Sequence, residues 1–235
     1  MTGALDEVDV WLVPDQRAER VLSGLLALLD AGERARADAY RSADDRRRYV
    51  VAHGALRLIV AAHLGAPARE IRWVRGPHGK PELAGRWCGA RVNLSHSGDF
   101  AVVALTASRP VGVDVQRVLP HLAADAMAHR YFSPEEAASV RGTPDAASRA
   151  ALFADLWARK EALVKAHGGR LTEGLRVPVT PTVPPAAPRP ENAWAAAYRV
   201  TPLPAPPGYR AALALAGHAE FQVTPHQWTW PGHAP

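Results

Sequence analysis

The stretch "VGVDVQRV" (111–118) places an acidic and an amide side chain on a pattern typical of a β-strand. Because side chains alternate along a strand, the valines face one way, and Gly112, Asp114 and Gln116 face the other. Carboxylate and amide oxygens one step apart can take neighbouring positions on a hard cation such as Mg²⁺. The ordinary alternative is a solvent-facing strand surface, and this short pattern alone does not exclude it.

The stretch "WARKEALVK" (157–165) places charges on a helix whose apolar residues form one stripe. Lys160 falls near the centre of the stripe, whereas Glu161 and Lys165 lie at its edge, one turn apart. A surface ion pair between Glu161 and Lys165 would be worth only about 0.3–0.5 kcal/mol, and it would leave Lys160 unexplained. Because an unpaired buried charge is costly, we expect Lys160 to be paired or to reach an anion. If Glu161 faces Asp114, the two carboxylates form a cluster suited to a metal ion.

Two further segments carry groups suited to phosphate oxygens. In "NLSHSG" (93–98), Ser95 and His96 follow a predicted strand, and we expect them in a turn before the glycine. A single histidine is more often structural than functional, and adjacent residues of an extended chain point apart, which argues against a Ser–His nucleophile pair. "GPHGKP" (76–81) supplies Lys80 in a tight turn, a pattern equally typical of an exposed turn lysine.

The elements that must position these groups are helices and strands in mixed order, which predicts an α+β fold. The predicted helices are 19–40 (broken near Gly32), the segment from Ser42 to Gly65, the segment after Ser133, and 148–167. The predicted strands are 8–13, 71–76, 91–96, 100–106, 111–118, 193–200 and 209–217.

The connections suggest how the chain is organised. The turn "ASRP" predicts a hairpin of strands 100–106 and 111–118, and prolines predict an extended loop over 178–190. Each half reads as helices plus a few strands. This pattern leaves room for two similar lobes, an N-terminal one over 1–108 and a C-terminal one over 109–235.

Composition places the chain among globular proteins, with 235 residues of which 48% are hydrophobic and 22% charged. No apolar run reaches the roughly 18 residues of a transmembrane helix. The first 16 residues lack the basic start and long apolar core of a signal peptide. The single cysteine, Cys88, excludes an internal disulfide, and we expect a reducing, cytoplasmic location.

Net charge is +5, from 28 basic and 23 acidic residues, and the basic excess is concentrated in 33–41, 46–49 and 72–80. Such runs indicate either a solvated arginine-rich surface or a pocket for an anion. The sequence has no CxxC pair and no known DNA-reading pattern, so we expect no nucleic-acid partner.

Taken in order, the motifs GKP, NLSHS, VGVDV and W-x-x-K-E-x-x-x-K resemble those of the Sfp-type 4′-phosphopantetheinyl transferases. The matching segments run from about residue 76 to 169, and weaker similarity reaches back to 45–57 and forward to the final strands. The resemblance implies two similar α+β lobes with the active site between them. It also implies transfer of the phosphopantetheine arm of coenzyme A to a serine of an acyl or peptidyl carrier protein, with adenosine 3′,5′-bisphosphate as the other product.

The same resemblance implies roles at the reacting centre. Asp114 and Glu161 match the family's Mg²⁺ ligands, and Glu161 also matches the base that activates the carrier serine. Lys165 matches the lysine near the pyrophosphate. The family often has glutamate where this chain has Gln116, whose amide oxygen can bind Mg²⁺ directly, or through water, but brings no charge. The expected metal ligands are therefore Asp114, Gln116 and Glu161.

The resemblance also implies residues around the nucleotide end of coenzyme A. Lys80, Ser95 and His96 match residues of that region, with His96 near the 3′-phosphate, and Arg48 matches an arginine there. Lys160 matches the lysine of the family's K-E pair, to which the resemblance gives no role beyond support of the site.

Three alternative functions remain open at the level of sequence. They are a relative that binds coenzyme A or a carrier protein without transfer, a metal-dependent phosphoesterase with the same carboxylates, and a basic nucleic-acid-binding protein. For the transferase, a basic surface suits acidic carrier proteins. We expect no membrane partner, and two lobes in one chain make a monomer sufficient.

Overall fold

The computed structural model describes residues 6–16, 18–76, 79–180 and 190–230. Within them, the strands are β1 (Asp6–Pro14), β2 (Trp73–Arg75), β3 (Pro81–Leu83), β4 (Arg91–Ser97), β5 (Phe100–Thr106), β6 (Val111–Arg117), β7 (Tyr198–Leu203), β8 (Tyr209–Ala216) and β9 (Phe221–Gln227). The α-helices are α1 (Glu19–Leu28), α2 (Ala31–Asp38), α3 (Ala43–Leu64), α4 (Ala124–Tyr131), α5 (Pro134–Gly142), α6 (Ala146–His167) and α7 (Leu171–Gly174). The predicted α+β class is confirmed. None of the helices described here combines the length and apolarity that crossing a membrane requires.

Two sheets and one small hairpin form the β-structure. The first sheet has the strand order β4-β5-β1-β9, the second has the order β6-β8-β7, and β2 pairs with β3. The two larger sheets pack against each other through one buried aliphatic cluster, whose members include Val8, Val10, Val102, Val111, Val113, Val115, Leu213 and Leu215. The valine face of β6 is therefore core, as its alternation predicted.

The predicted hairpin of 100–106 and 111–118 is wrong. Strand β5 pairs with β4 and β1, whereas β6 pairs with β8 in the other sheet. The turn between β5 and β6 leads from the first sheet to the second. Its Arg109 donates to the Ala216 carbonyl at 2.5 Å and lies 2.8 Å from a carboxylate oxygen of Asp6. A short turn between two apolar strands is compatible with either arrangement, because the choice depends on a partner about a hundred residues away.

The C-terminal part of the chain returns to the first sheet. Strand β9, which the sequence did not predict, runs parallel to β1 with Asp6 opposite Phe221. The predicted strand 193–200 is a 3₁₀-helix up to Ala197, and β7 begins at Tyr198. In the predicted proline-rich loop, residues 181–189 lie outside the described part of the chain.

Helix ends follow the local capping signals. Asp30 and Glu33 form a capping box at the start of α2, so the predicted break near Gly32 lies at Asp30. Ser42 caps α3, accepting from the Asp45 backbone N–H. Gly168 ends α6 with a φ of 80°, a left-handed conformation that glycine adopts readily.

Lys160, in the middle of α6, is fully buried, and it is paired as expected. Its ammonium lies 2.6 Å from a carboxylate oxygen of Glu136, itself 1% exposed, and donates to the Val177 carbonyl at 2.5 Å. The other oxygen of Glu136 accepts from the Val179 backbone N–H at 2.7 Å. Burial lowers the pKa of Lys160, although the Glu136 charge opposes the shift. The pair joins α5 and α6 to the segment after α7.

We expect Glu136→Gln to lower the free energy of unfolding by about 3–5 kcal/mol, because the change leaves the Lys160 ammonium buried without its counter-charge. The control is Arg141→Gln, which breaks the exposed ion pair with Asp125 and should cost at most about 1 kcal/mol. Urea unfolding of both variants measures the difference, and similar small losses for the two would contradict a buried ion pair.

Candidate active site

The face of β6 that carries Asp114 is covered by helix α6 rather than by solvent. A Cβ atom at Gly112 would clash with the Ala162 carbonyl oxygen and the Ala166 backbone nitrogen. Glycine therefore lets the helix backbone lie directly on the strand. This close approach brings Glu161 and Lys165 beside Asp114, which has no solvent exposure.

Asp114 is surrounded by hydrogen-bond donors. One carboxylate oxygen accepts from the Ser95 hydroxyl at 2.6 Å and from the Lys165 ammonium at 2.5 Å. The other accepts from the Gln116 amide at 2.7 Å. Burial raises the pKa of Asp114 to about 6, although the charge of Lys165 opposes the shift. The carboxylate is thus held ionised near neutral pH by its neighbours, despite its burial.

Lys165 lies between two carboxylates. Its ammonium is 3.3 Å from Glu161 and also donates to the Ser95 hydroxyl at 3.0 Å. Burial alone would lower the pKa of Lys165, but the charges of Asp114 and Glu161 outweigh it and raise the pKa. The Trp157 indole N–H donates to Glu161 at 2.7 Å and fixes that carboxylate. The predicted cluster of Asp114 and Glu161 is therefore present, and the Glu161–Lys165 pair belongs to it.

Ser95 lies on strand β4, as the predicted strand 91–96 implies, and the turn follows only after Ser97. Its side chain is buried, and its hydroxyl also accepts from the Val115 backbone N–H at 3.4 Å. Together with its contacts to Asp114 and Lys165, these partners place Ser95 inside the carboxylate cluster. The adjacent His96 alternates to the other side of the strand and is exposed.

His96 shares its surroundings with cationic groups of other elements. Although the residue is exposed overall, partial burial among neighbouring protein groups lowers the pKa of His96, and the nearby His53, Lys165 and Arg48 lower it further. The Arg48 guanidinium donates to Asp45 at 3.1 Å, while its Nε atom is buried and lacks a hydrogen-bond partner among the described residues. Groups from α3, β4 and α6 therefore meet in one region, where the Arg48 Nε atom offers a hydrogen bond to an anion.

His53 is a member of this region that the sequence reasoning missed. Its ring stacks on Tyr49 at a centroid distance of 4.0 Å, and its Nδ1 atom lies 3.5 Å from a carboxylate oxygen of Glu33. The sequence feature that could have revealed His53 is its i, i+4 spacing from Tyr49 on a helix that also carries Arg48.

Lys80 has partners that the sequence did not predict. Its ammonium donates to the backbone carbonyls of Val111 at 2.9 Å and Lys165 at 2.7 Å. Burial lowers the pKa of Lys80 to about 8. The side chain therefore ties the β2–β3 hairpin to the start of β6 and to the last turn of α6.

The donor set can be compared with the needs of a divalent cation. In the described part of the chain, no group of three or more His, Cys, Asp or Glu side chains could hold a metal ion. Asp114 and Glu161 nevertheless supply two carboxylates beside the Gln116 amide. Mg²⁺ is commonly bound by only one or two protein carboxylates together with substrate phosphates. The oxygen chemistry therefore fits Mg²⁺ bound jointly with a phosphate ligand, and Lys165 would compete for the same carboxylates.

Comparison with known proteins decides the family. Residues 110–214 match the 4′-phosphopantetheinyl transferase superfamily, and residues 16–108 match the N-terminal region described for 4′-phosphopantetheinyl transferases. The 4′-phosphopantetheinyl transferase HetI of Nostoc sp. is 33% identical over 188 residues, which cover 78% of this chain and 79% of HetI. The chain belongs to the 4′-phosphopantetheinyl transferase superfamily.

Other relatives of the transferase agree. A putative 4′-phosphopantetheinyl transferase of Synechocystis sp., slr0495, is 33% identical over 73% of this chain and 69% of its own length. The 4′-phosphopantetheinyl transferase psf-1 of Bacillus pumilus is 31% identical over 68% of this chain and 67% of its own length. The chain is thus a phosphopantetheinyl transferase, and Asp114, Glu161 and Lys165 lie within the region 110–214 that matches the superfamily.

We expect Gly112→Ala to abolish most transferase activity, because the added methyl group pushes α6 away from β6 and separates Glu161 and Lys165 from Asp114. Gly142→Ala is the matched control, since a Cβ there meets no atom within 4 Å. Steady-state kinetics and thermal unfolding measure both variants. Wild-type turnover for Gly112→Ala would contradict the close approach.

Proposed function

We propose that this transferase moves the phosphopantetheine arm of coenzyme A to a serine of an acyl or peptidyl carrier protein in an Mg²⁺-dependent reaction, as an Sfp-type enzyme. The observation that carries the proposal is the convergence of Asp114, Glu161 and Lys165 at one point beside β6. Such a cluster matches the needs of a reaction that cleaves a pyrophosphate and develops negative charge on the leaving group.

The bonds of the proposed step can be assigned to groups of this chain. The carrier serine oxygen forms a bond to the phosphorus next to the pantetheine arm, and the bond from that phosphorus to the bridging oxygen breaks. The electron pair leaves with adenosine 3′,5′-bisphosphate. Glu161, whose carboxylate accepts from Trp157, would accept the serine proton. Lys165 would stabilise the leaving phosphate.

Magnesium would be held by Asp114 and Glu161, with Gln116 contributing its amide oxygen directly or through water. When bound, the ion would supply positive charge against the pyrophosphate oxygens. The Asp114 carboxylate has its Lys165 counter-charge already in place, so the site is organised before any ligand arrives. Its burial excludes water from the carboxylate and strengthens each electrostatic contact.

The nucleotide end of coenzyme A is assigned to the region around His96, Arg48 and His53. Support comes from the exposed imidazole of His96 and from the Arg48 Nε atom, a buried donor without a protein partner among the described residues. A 3′-phosphate would give that donor an acceptor. Lys80 is assigned to holding the backbone, because both of its bonds go to carbonyl oxygens.

The acceptor side of the site is assigned to an apolar hollow beside Gln116. This hollow is lined by Leu119, Leu122, Met127, Phe153 and Trp157, among others. Leu119 is 52% exposed at the edge of the hollow. An apolar hollow that opens beside charged groups can receive an apolar side chain of a partner protein.

The transfer is tested by the intact mass of apo-carrier proteins incubated with enzyme, coenzyme A and Mg²⁺. We expect an increase of about 340 Da on the carrier serine. Glu161→Gln should keep the fold but lower turnover by about two orders of magnitude, since it removes a metal ligand and proton acceptor. Glu220→Gln, an exposed change before β9, serves as the control. An unchanged carrier mass, or full turnover by Glu161→Gln, would contradict the proposal.

We expect Gln116→Glu to lower the Mg²⁺ concentration that gives half-maximal rate, because a third carboxylate strengthens binding of a hard cation. The same change should enlarge the rise in unfolding temperature that Mg²⁺ produces, a measurement independent of turnover. Gln222→Glu makes the same chemical change on the exposed side of β9 and should leave both quantities unaltered. Equal responses of the two variants would remove Gln116 from the proposed metal site.

A further inference from the structure

The edge strands of the two sheets are joined by side chains instead of by a backbone ladder. Strand β4 lies at one edge of the first sheet, and β6 lies at one edge of the second. In the described residues these two strands are not paired with each other by backbone hydrogen bonds. Three side chains of β4 replace the missing carbonyl acceptors: Asn93 accepts from the Val113 N–H at 2.8 Å, Ser95 from Val115 at 3.4 Å and Ser97 from Arg117 at 3.0 Å.

Lys80 continues the same series at the other end of β6. Its ammonium binds the carbonyl of Val111, two residues before Val113, and also the carbonyl of Lys165. Four side chains therefore hold every second residue of β6 from Val111 to Arg117. We name Lys80, Asn93, Ser95 and Ser97 the inter-sheet clasp.

The spacing of the clasp follows from strand geometry. Alternate residues of β4 point to the same side, so Asn93, Ser95 and Ser97 all reach β6 while His96 points away. Alternate N–H groups of β6 point to its free edge, since those between them face β8. Because both periods are two residues, the clasp sets one register of β4 against β6. In that register the Ser95 hydroxyl meets Asp114 at 2.6 Å.

We propose that the residues of the clasp other than Ser95 are positioning residues of the transfer reaction. Asp114, Glu161 and Lys165 belong to β6 and α6, whereas His96 belongs to β4. A substrate that contacts both the cluster around Asp114 and the region around His96 would span the junction of the two sheets. The rate of transfer therefore depends on how firmly that junction is held. This inference rests on the proposed function for its substrate, whereas the clasp itself rests on the four sets of hydrogen bonds above.

The clasp residues Asn93 and Lys80 pair with backbone groups of β6 and α6. Asn93 is 7% exposed, and its acceptor satisfies a backbone N–H that would otherwise be buried and unpaired. Lys80 satisfies the Lys165 carbonyl in the last turn of α6, where helix carbonyls lack partners within the helix. Its positive charge also suits the negative end of the helix dipole. The main chain of Lys165 is thus held by Lys80, while its side chain is held by Ser95 and Asp114.

The first test uses Ser97, which is only half-buried and can be changed without opening the core. Ser97→Ala removes the acceptor for the Arg117 N–H, and Ser97→Thr retains a hydroxyl. We expect Ser97→Ala to lower kcat about tenfold with little change in the KM for coenzyme A, because misplacement of reacting groups affects the transition state more than binding. Ser97→Thr should restore kcat to within about twofold of wild type.

The matched control is Ser139→Ala, which removes an exposed hydroxyl bound to the Glu135 carbonyl on α5. It should leave kcat and KM unchanged.

A second test uses Lys80. Lys80→Met keeps the aliphatic stem and loses the donor, whereas Lys80→Arg keeps donors. We expect a loss of kcat for Lys80→Met that Lys80→Arg partly recovers. A merely structural role would lower thermal stability without such recovery of kcat.

Amide hydrogen exchange separates failure of this inference from failure of the proposed function. Exchange at Arg117 should accelerate in Ser97→Ala and remain slow in Ser97→Thr and Ser139→Ala, whatever substrate the enzyme uses. An inactive wild-type enzyme would overturn the proposed function alone. An active wild type with unaltered kcat in Ser97→Ala, or with equal losses in Ser97→Ala and Ser97→Thr, would overturn the positioning role.

Discussion

The charge of Asp114 must be compensated inside the protein, because its carboxylate has no contact with solvent and an isolated buried charge is too costly. Its compensating partners come from three elements: Ser95 from β4, Gln116 from β6 and Lys165 from α6. Each partner can reach the carboxylate only when its element is correctly placed. The requirement to neutralise one buried group therefore joins both sheets and the central helix into a single arrangement.

Helix α6 carries two lysines five residues apart that experience opposite environments. Lys160 lies in the interior against Glu136, and burial lowers its pKa. Lys165 lies between two carboxylates that together outweigh burial and raise its pKa. The first lysine fixes the helix to the rest of the chain, and the second presents a firmly held positive charge at the cluster. The difference arises from position on the helix surface, since the two side chains are chemically identical.

Local sequence patterns correctly predicted the structural features that depend only on residues close together in the chain. The alternation in β6, the place of Lys160 in the apolar stripe, the Ser42 cap and the end of α6 at Gly168 are all of this kind. The convergence of Asp114, Glu161 and Lys165 followed from combining two such patterns with the family resemblance. Their roles in metal binding and catalysis remain predictions.

Choices that depend on distant partners were not predictable in the same way. The hairpin of β5 and β6 was predicted wrongly because the sequence does not show that β8 takes the place of β5 beside β6. Ser95 and Lys80 were expected to face a nucleotide, whereas their polar atoms bind groups of β6 and α6. Those assignments required knowing that two edge strands meet, which follows from the packing of the sheets rather than from any motif.

The parallel pairing of β9 with β1 has a consequence for how the protein is made. The contacts of Thr224 with Glu7 and of His226 with Asp9 each join residues 217 positions apart. Because β1 precedes β9 along the chain, one edge of β1 stays unpaired while the ribosome translates the residues between them. Open strand edges invite association with other chains. During synthesis that edge of β1 is therefore open to other chains until β9 emerges and pairs with it.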